Sequence, residues 1–311
     1  MTPPPPVEPV ETQPAAARVG FVGLGNIGKP MATRLVEWPA GLTVYDVAPD
    51  PLAELEKLGA RVAGSVAELA AECGVICVMV NTDEQVRDVM GEVLGGARPG
   101  TVVAVHSTIS PDLPPRLEDL AGRHDLLFVD APVSGGAIGA ADGSLAIMVG
   151  GTDAAYAAVK QPFALMGSEV VHCGPVGNGT AAKLARNLLH FVAFTATGEA
   201  LRLAEAAGVD LVALGRIVRH TDSITGGPGA IMHRGTTAQL APDDGWTSIF
   251  EHVLALGSKD LGHAIELADR LGVDVPMARF AEDHLAEALG LRTASTAQVS
   301  TGSTTGEAGI S

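Results

Sequence analysis

From Arg18 to about Gly174 the chain alternates short apolar runs with helix-sized segments of mixed polarity. That alternation predicts βαβ units wound around a parallel sheet. The strand-like runs are residues 19–22, 42–45, 75–80, 102–104, 127–129, 145–149 and 170–172, and the helical stretches between them include 31–37, 67–71, 84–89 and 153–159. At Gly177-Asn-Gly-Thr180 the texture changes. A proline-free stretch rich in Ala and Leu, residues 181–207, predicts a single helix of roughly 40 Å. Helical patterns at 211–221, 248–271 and 276–289 follow, with no convincing strand, so the expected fold class is α/β, a doubly wound sheet followed by an all-α C-terminal domain built on a long interdomain helix. A loop of small residues, Gly226-Gly-Pro-Gly229, interrupts the helices and reads as an interhelical loop or a hinge.

The length, 311 residues, accommodates two domains with a sizeable core. Apolar residues make up 47% and charged residues 18%, and no apolar run approaches the ~20 residues of a membrane span, so a soluble chain is expected. Residues 1–17 are Pro-rich without the basic and apolar regions of a secretory signal, and read as a disordered leader of a cytoplasmic protein. Residues 292–311, rich in Ser, Thr and Gly, read as a disordered tail. A net charge of -16 repels nucleic acid and anionic membranes, so neither is an expected partner. The cysteines, Cys73, Cys77 and Cys173, are scattered and suit a reducing compartment. Cys73 and Cys77 flank or enter the apolar run Val75-Ile-Cys-Val-Met-Val80 and read as buried thiols rather than a metal pair; no metal site is expected.

Gly23-Leu24-Gly25-Asn26-Ile27-Gly28 follows the first strand and opens a helix, the context that a dinucleotide-binding glycine fingerprint requires. The first glycine makes the turn, the second admits pyrophosphate to the backbone, and the third allows close helix–strand contact. Residues 18–180 are therefore expected to form a Rossmann-type dinucleotide-binding domain, and 181–291 an all-helical substrate and dimerisation domain. Asp46 ends the second strand, where a carboxylate accepts hydrogen bonds from the adenosine ribose and repels the extra phosphate of NADP; NAD is the favoured cofactor over NADP. The loops carrying Val80-Asn81 and Ser107-Thr108 follow later strand ends and face the cofactor side.

Four segments, in this order and spacing, resemble the β-hydroxyacid dehydrogenase family, which includes 3-hydroxyisobutyrate and 6-phosphogluconate dehydrogenases. They are Gly23 to Met31, Asp130-Ala-Pro-Val-Ser-Gly-Gly136, Gly177-Asn-Gly-Thr-Ala-Ala-Lys183 with Asn187, and Lys259-Asp-Leu261. The resemblance implies a carboxylate clamp at Ser134, Gly135 and Gly136, a catalytic acid/base at Lys183, and Asn187 orienting the substrate oxygen. It also implies that Lys259 approaches the cofactor on closure; its bland alternative is a surface ion pair with a neighbouring acid. Lys183 and Asn187, four apart, share a helix face, and the small apolar residues around Lys183, expected in the first turn at the domain junction, would desolvate its ammonium and lower its pKa. The implied activity is hydride transfer between NAD(P) and a small 3-hydroxy acid.

Arg186 departs from the family pattern. It suits binding of a second anionic group or depression of the Lys183 pKa, and equally a pairing with Glu205 or Glu251. His190, a turn further on, reads as a packed histidine before an acid/base group. Two other functions fit the architecture: an imine reductase-like enzyme, against which Lys183 argues, and a non-catalytic nicotinamide-binding sensor, against which the joint presence of Ser134, Lys183 and Asn187 argues. Apolar residues around 188–194 exceed what one helix face buries, so a homodimer or homotetramer is expected.

Overall fold

The computed structural model describes residues 17–291; the expected leader (except Ala17) and the tail lie outside them. The described residues fall into two compact units, divided between Arg186 and Asn187.

The first unit is a nine-stranded sheet with helices on its faces. Its first half runs β1 (Val19–Val22), α1 (Gly28–Leu35), β2 (Leu42–Tyr45), α2 (Pro49–Lys57), β3 (Arg61–Val62), α3 (Val66–Glu72). The chain then returns to the sheet centre as β4 (Val75–Val78), α4 (Asp83–Gly96), β5 (Val102–Val105), α5 (Leu113–Gly122) and β6 (Leu127–Asp130). These six strands are parallel, in the order β3-β2-β1-β4-β5-β6. β7 (Val133–Ser134), α6 (Gly136–Asp142), β8 (Ala146–Gly150), α7 (Asp153–Met166) and β9 (Glu169–Gly174) complete it. β8 runs antiparallel to β6 and β7, and β9 is parallel to β8.

Every residue of β1, β4 and β5 is buried, as befits strands covered on both faces. One face packs Phe21, Met31, Leu35, Val44, Phe163 and Met166; the other packs Leu69, Ile76, Met90, Val103 and Leu117. Cys73 and Cys77 are buried in these layers, and burial pushes the Cys73 thiol up to about 11. The chain reverses direction across the sheet between β1 and β4, which opens a crevice at their C-terminal ends, the place where open α/β sheets take ligands.

Several element bounds differ from the expected ones. The strand expected over 75–80 stops at Val78: Met79 N–H makes the last ladder bond, to Val22 O at 2.9 Å, and the chain then turns into the α4 cap. There Thr82 and Gln85 form a capping box, whose Gln85 side chain also accepts from Asn81 N at 2.9 Å. The long helix, α8, spans Asn178–Ala206 rather than 181–207. Its earlier start puts Lys183 in the second turn instead of the first.

The second unit holds the remainder of α8, then α9 (Leu211–Thr225), a short 3-10 helix (Gly227–Ile231), α10 (Thr247–Leu271) and α11 (Pro276–Ala288). Its small cores centre on Leu240, Phe250 and Leu289 and on Ile265, Ala268 and Val275. The buried Glu199 carboxylate on α8 accepts from Met277 N at 2.8 Å and Ala278 N at 3.1 Å, so an acid on one helix caps the start of another. None of the described helices is long and apolar enough to cross a membrane.

Candidate active site

The β1–α1 turn realises the three glycine roles in space. Gly23 has φ +92, a conformation that disfavours a side chain, and a Cβ there would run into Met79 O. A Cβ on Gly25 would meet open space, which leaves its backbone bare for an incoming phosphate. A Cβ on Gly28 would strike Gly23 O, so only glycine lets α1 begin so close to the turn. Leu24 is buried beneath the turn, Ile27 is half-buried, and Asn26 is exposed on its outer side.

Asp46 does more than close the second strand. One carboxylate oxygen accepts Leu24 N–H at 2.5 Å and the other Ala48 N–H at 2.7 Å, so Asp46 bolts the glycine turn to the end of β2. It stands in a cleft of about 380 Å³ whose walls include Gly23, Gly25, Val47, Asn81 and Glu92. The residues lining it include the acids Asp46, Asp88 and Glu92 and no Lys, Arg or His. Val80 and Asn81 border the same cleft. Ser107 is buried, and its hydroxyl donates to Val80 O at 2.7 Å and accepts from Val80 N at 2.9 Å, which latches the β5 loop to the β4 loop. That latch occupies the hydroxyl with protein groups, whereas Thr108 beside it is exposed. A larger cleft, about 630 Å³, borders Arg18, Val75 and Val102, at the strand starts and thus at the opposite edge of the sheet.

At the other end of the unit, Ser134 ends β7 half-buried, and Gly135 and Gly136 are exposed at φ +133 and +65. Both glycine conformations lie outside the range comfortable for side chains, and they present bare backbone at the start of α6. The same segment begins with Asp130, which is fully buried. Its carboxylate accepts Gly177 N–H at 2.8 Å and Thr180 N–H at 2.6 Å, so it supplies the anionic cap that α8 lacks locally. Burial raises the Asp130 pKa, and the two backbone donors partly offset that rise. Gly179 completes the joint, because a Cβ there would collide with Asp130 O and Met148 O.

Lys183 follows one turn into α8 and is only 9% exposed. Burial lowers its pKa, and the Arg186 guanidinium lowers it further by repulsion. Asn187 lies half-buried one turn on, within the second unit by the division above. His190 packs its ring against Phe194, 4.2 Å between centroids. Lys259 is exposed on α10, 3.2 Å from Asp260, the ion pair that is its bland alternative.

The structure thus gathers Gly23, Gly25, Asp46, Val80 and Asn81 around one cleft and joins the Ser134 segment to the Lys183 helix through Asp130. Asp130 and the Ser107–Val80 latch were not assigned roles from sequence. Asp130 belongs to a recognised motif, but nothing local marks a carboxylate that caps a helix 47 residues away.

Family models match both parts of the chain. Residues 18–174 match the NAD binding domain of 6-phosphogluconate dehydrogenase, and 177–302 match the NAD-binding region of NADP-dependent 3-hydroxyisobutyrate dehydrogenase. An uncharacterized oxidoreductase of Mycobacterium tuberculosis (strain ATCC 25618 / H37Rv) is 48% identical over 281 residues, covering 89% of this chain and 95% of the relative. A crystal structure of a Mycobacterium avium 104 protein described as an oxidoreductase superposes with a TM-score of 0.86 at 49% identity, over 89% of this chain and all of that one. The structure of a Mycobacterium tuberculosis 3-hydroxyisobutyrate dehydrogenase with L-serine gives 0.63 at 33% identity, over 88% and 93% of the two chains. With glycine turn, clamp segment and lysine helix in family order, the chain belongs to the β-hydroxyacid dehydrogenase family.

Proposed function

We propose that this protein is an NAD-dependent dehydrogenase of a small 3-hydroxy acid resembling 3-hydroxyisobutyrate, with Lys183 as general acid/base. The observation that carries the reading is the state of Lys183: a lysine that is 9% exposed, desolvated by burial and set beside a second cation, is shifted toward the neutral amine that proton abstraction needs. A bound nicotinamide ring supplies or accepts the hydride. Lys183 Nζ takes the substrate hydroxyl proton during oxidation and returns it during reduction. Asn187 orients the substrate oxygen, and Lys259 is assigned to the cofactor side on the family pattern.

Ser134 with the backbone of Gly135 and Gly136 holds the substrate carboxylate, a donor-rich patch in a strongly acidic chain. Arg186 suits a second anionic group of the substrate and lowers the Lys183 pKa. NAD is preferred to NADP because the cleft beside the ribose position carries Asp46, Asp88 and Glu92, with no cation lining it to receive a 2′-phosphate. The open space before Gly25 fits a pyrophosphate at the start of α1.

The test follows reduction of NAD+ at 340 nm with a panel of 3-hydroxy acids, for the wild type and Lys183→Ala. Turnover lost in the variant while NAD+ binding persists supports the assignment. Full turnover in Lys183→Ala, or none by the wild type on any acid, rejects it.

A homodimer or homotetramer accompanies this reading. Leu188, Phe191 and Phe194 on α8 are 69%, 60% and 58% exposed, and a helix this apolar on several sides is stable in water only when covered. Sedimentation equilibrium showing only a 31.6 kDa particle would remove the assembly.

A further inference from the structure

We propose that His106 is a positioning residue for the Lys183 helix, tying the loop that borders the cofactor cleft to the segment that anchors α8. This role presupposes the dehydrogenase reading above. His106 follows β5 directly and is 1% exposed. Its backbone N–H donates to Val78 O at 2.8 Å, and its neighbour Ser107 closes the latch on Val80. On the opposite side its Nδ1 lies 2.8 Å from Ala131 O. A carbonyl oxygen only accepts, so the ring proton resides on Nδ1. Ala131 N–H donates to Val105 O at 2.8 Å, which holds this residue from both its nitrogen and its oxygen. The residue before it is Asp130, whose carboxylate grips Gly177 and Thr180 at the start of α8. Contacts therefore run without a break from Val80 through Ser107, His106, Ala131 and Asp130 to the first turn of α8, one turn before Lys183.

Two observations favour the Nδ1–H bond over ring packing as what an imidazole contributes here. Nε2 is buried with no hydrogen-bond partner, and an unmet acceptor in an apolar setting is a cost that an aromatic hydrocarbon ring avoids. The surroundings suit such a ring: Phe21 stacks at 6.3 Å between centroids and Phe163 lies tilted at 4.9 Å. Burial lowers the pKa of His106 to about 4, so the ring stays neutral and its Nδ1 proton stays in place near neutral pH. It is a fixed strut and moves no proton in the reaction.

The experiment compares the full-length wild type with His106→Phe, which keeps a ring and loses the donor, and His106→Asn, whose amide N–H replaces Nδ1–H. Amide exchange read by mass spectrometry should accelerate in His106→Phe over peptides spanning 130–136 and 177–183, and His106→Asn should restore the protection. Steady-state kinetics should show kcat lower by about tenfold to a hundredfold in His106→Phe with KM for NAD+ within about twofold, and recovery in His106→Asn. Unchanged exchange and kcat in His106→Phe, or no recovery in His106→Asn, would overturn the proposal. Should His106→Phe fail to fold, nitrogen-15 NMR of the wild-type ring decides: an Nδ1-protonated tautomer supports the strut, an Nε2-protonated one overturns it. A wild type inactive on every acid defeats the dehydrogenase reading alone, since exchange and tautomer report on the strut independently of turnover.

Discussion

Asp130 Oδ2 lies 2.6 Å from the backbone nitrogen of Thr180, and its other oxygen holds Gly177, so a strand-end carboxylate sets where the lysine helix begins. Asp130→Asn keeps one acceptor and turns an NH2 toward a backbone N–H. Expected is a loss of about 1–3 kcal/mol in denaturant unfolding, the usual cost of an unmet buried donor, together with a fall in kcat. The pH dependence carries a sign. The folded pKa lies above the ordinary carboxylate value, so between the two the folded form holds more protons and stability falls as pH rises. Unfolding free energies measured from pH 3 to 7 should show that descending contribution in the wild type and lack it in Asp130→Asn.

Ser107→Ala should act on the cofactor side without touching Lys183 chemistry. It strips both hydrogen bonds from Val80, leaving a backbone N–H and C=O to find other partners. KM for NAD+ should rise several-fold while the pH profile of kcat keeps its shape. An unchanged KM would mean that the β4 and β5 loops hold their places without the latch.

How much of this was legible in advance depends on the length scale of each signal. β1, β4 and β5 are fully buried apolar runs and stand out in the sequence. β3 (Arg61–Val62) and β7 (Val133–Ser134) have two residues each, too short for any periodicity. Helix α5 hides behind Pro114 and Pro115, which read as breakers yet occupy the first turn, where a missing N–H costs nothing. Helix α2 buries only Leu55 and so offers no apolar stripe. In the site, the glycine fingerprint is local and readable. Asp130 is not, because its partners are Gly177 and Thr180, and only tertiary structure brings them together.

Val47 offers a test of cofactor choice that spares the glycine turn. It is 91% exposed beside Asp46 and lines the cleft, whereas replacing Asp46 itself would also free Leu24 N–H. Val47→Arg places a guanidinium next to the ribose position. A charge-assisted contact of about 1.5–3 kcal/mol corresponds to roughly tenfold or more in kcat/KM for NADP. NAD should lose little, since Asp46 keeps its place. Comparing kcat/KM for both cofactors in wild type and variant checks this; an undiminished preference for NAD would point to Asp88 and Glu92 as the stronger barrier.

Lys183 should give the two reaction directions opposite pH limbs. On the proposed assignment oxidation needs the neutral amine as base, so its kcat/KM should rise as pH climbs through the lowered lysine pKa. Reduction needs the ammonium as acid and falls over the same interval. Stability follows the same proton: in the window between the folded pKa and the ordinary value of 10.5, the unfolded chain holds more protons, so stability rises with pH there. Arg186→Leu removes the second cause of the lowering and leaves burial in place, so both limbs should move to higher pH without vanishing. Lys183→Arg tests the base itself, because a guanidinium stays protonated throughout the accessible range and should abolish oxidation at every pH. Limbs that keep their position in Arg186→Leu would assign the shift to burial alone, and limbs that persist in Lys183→Arg would assign the titrating base to another group.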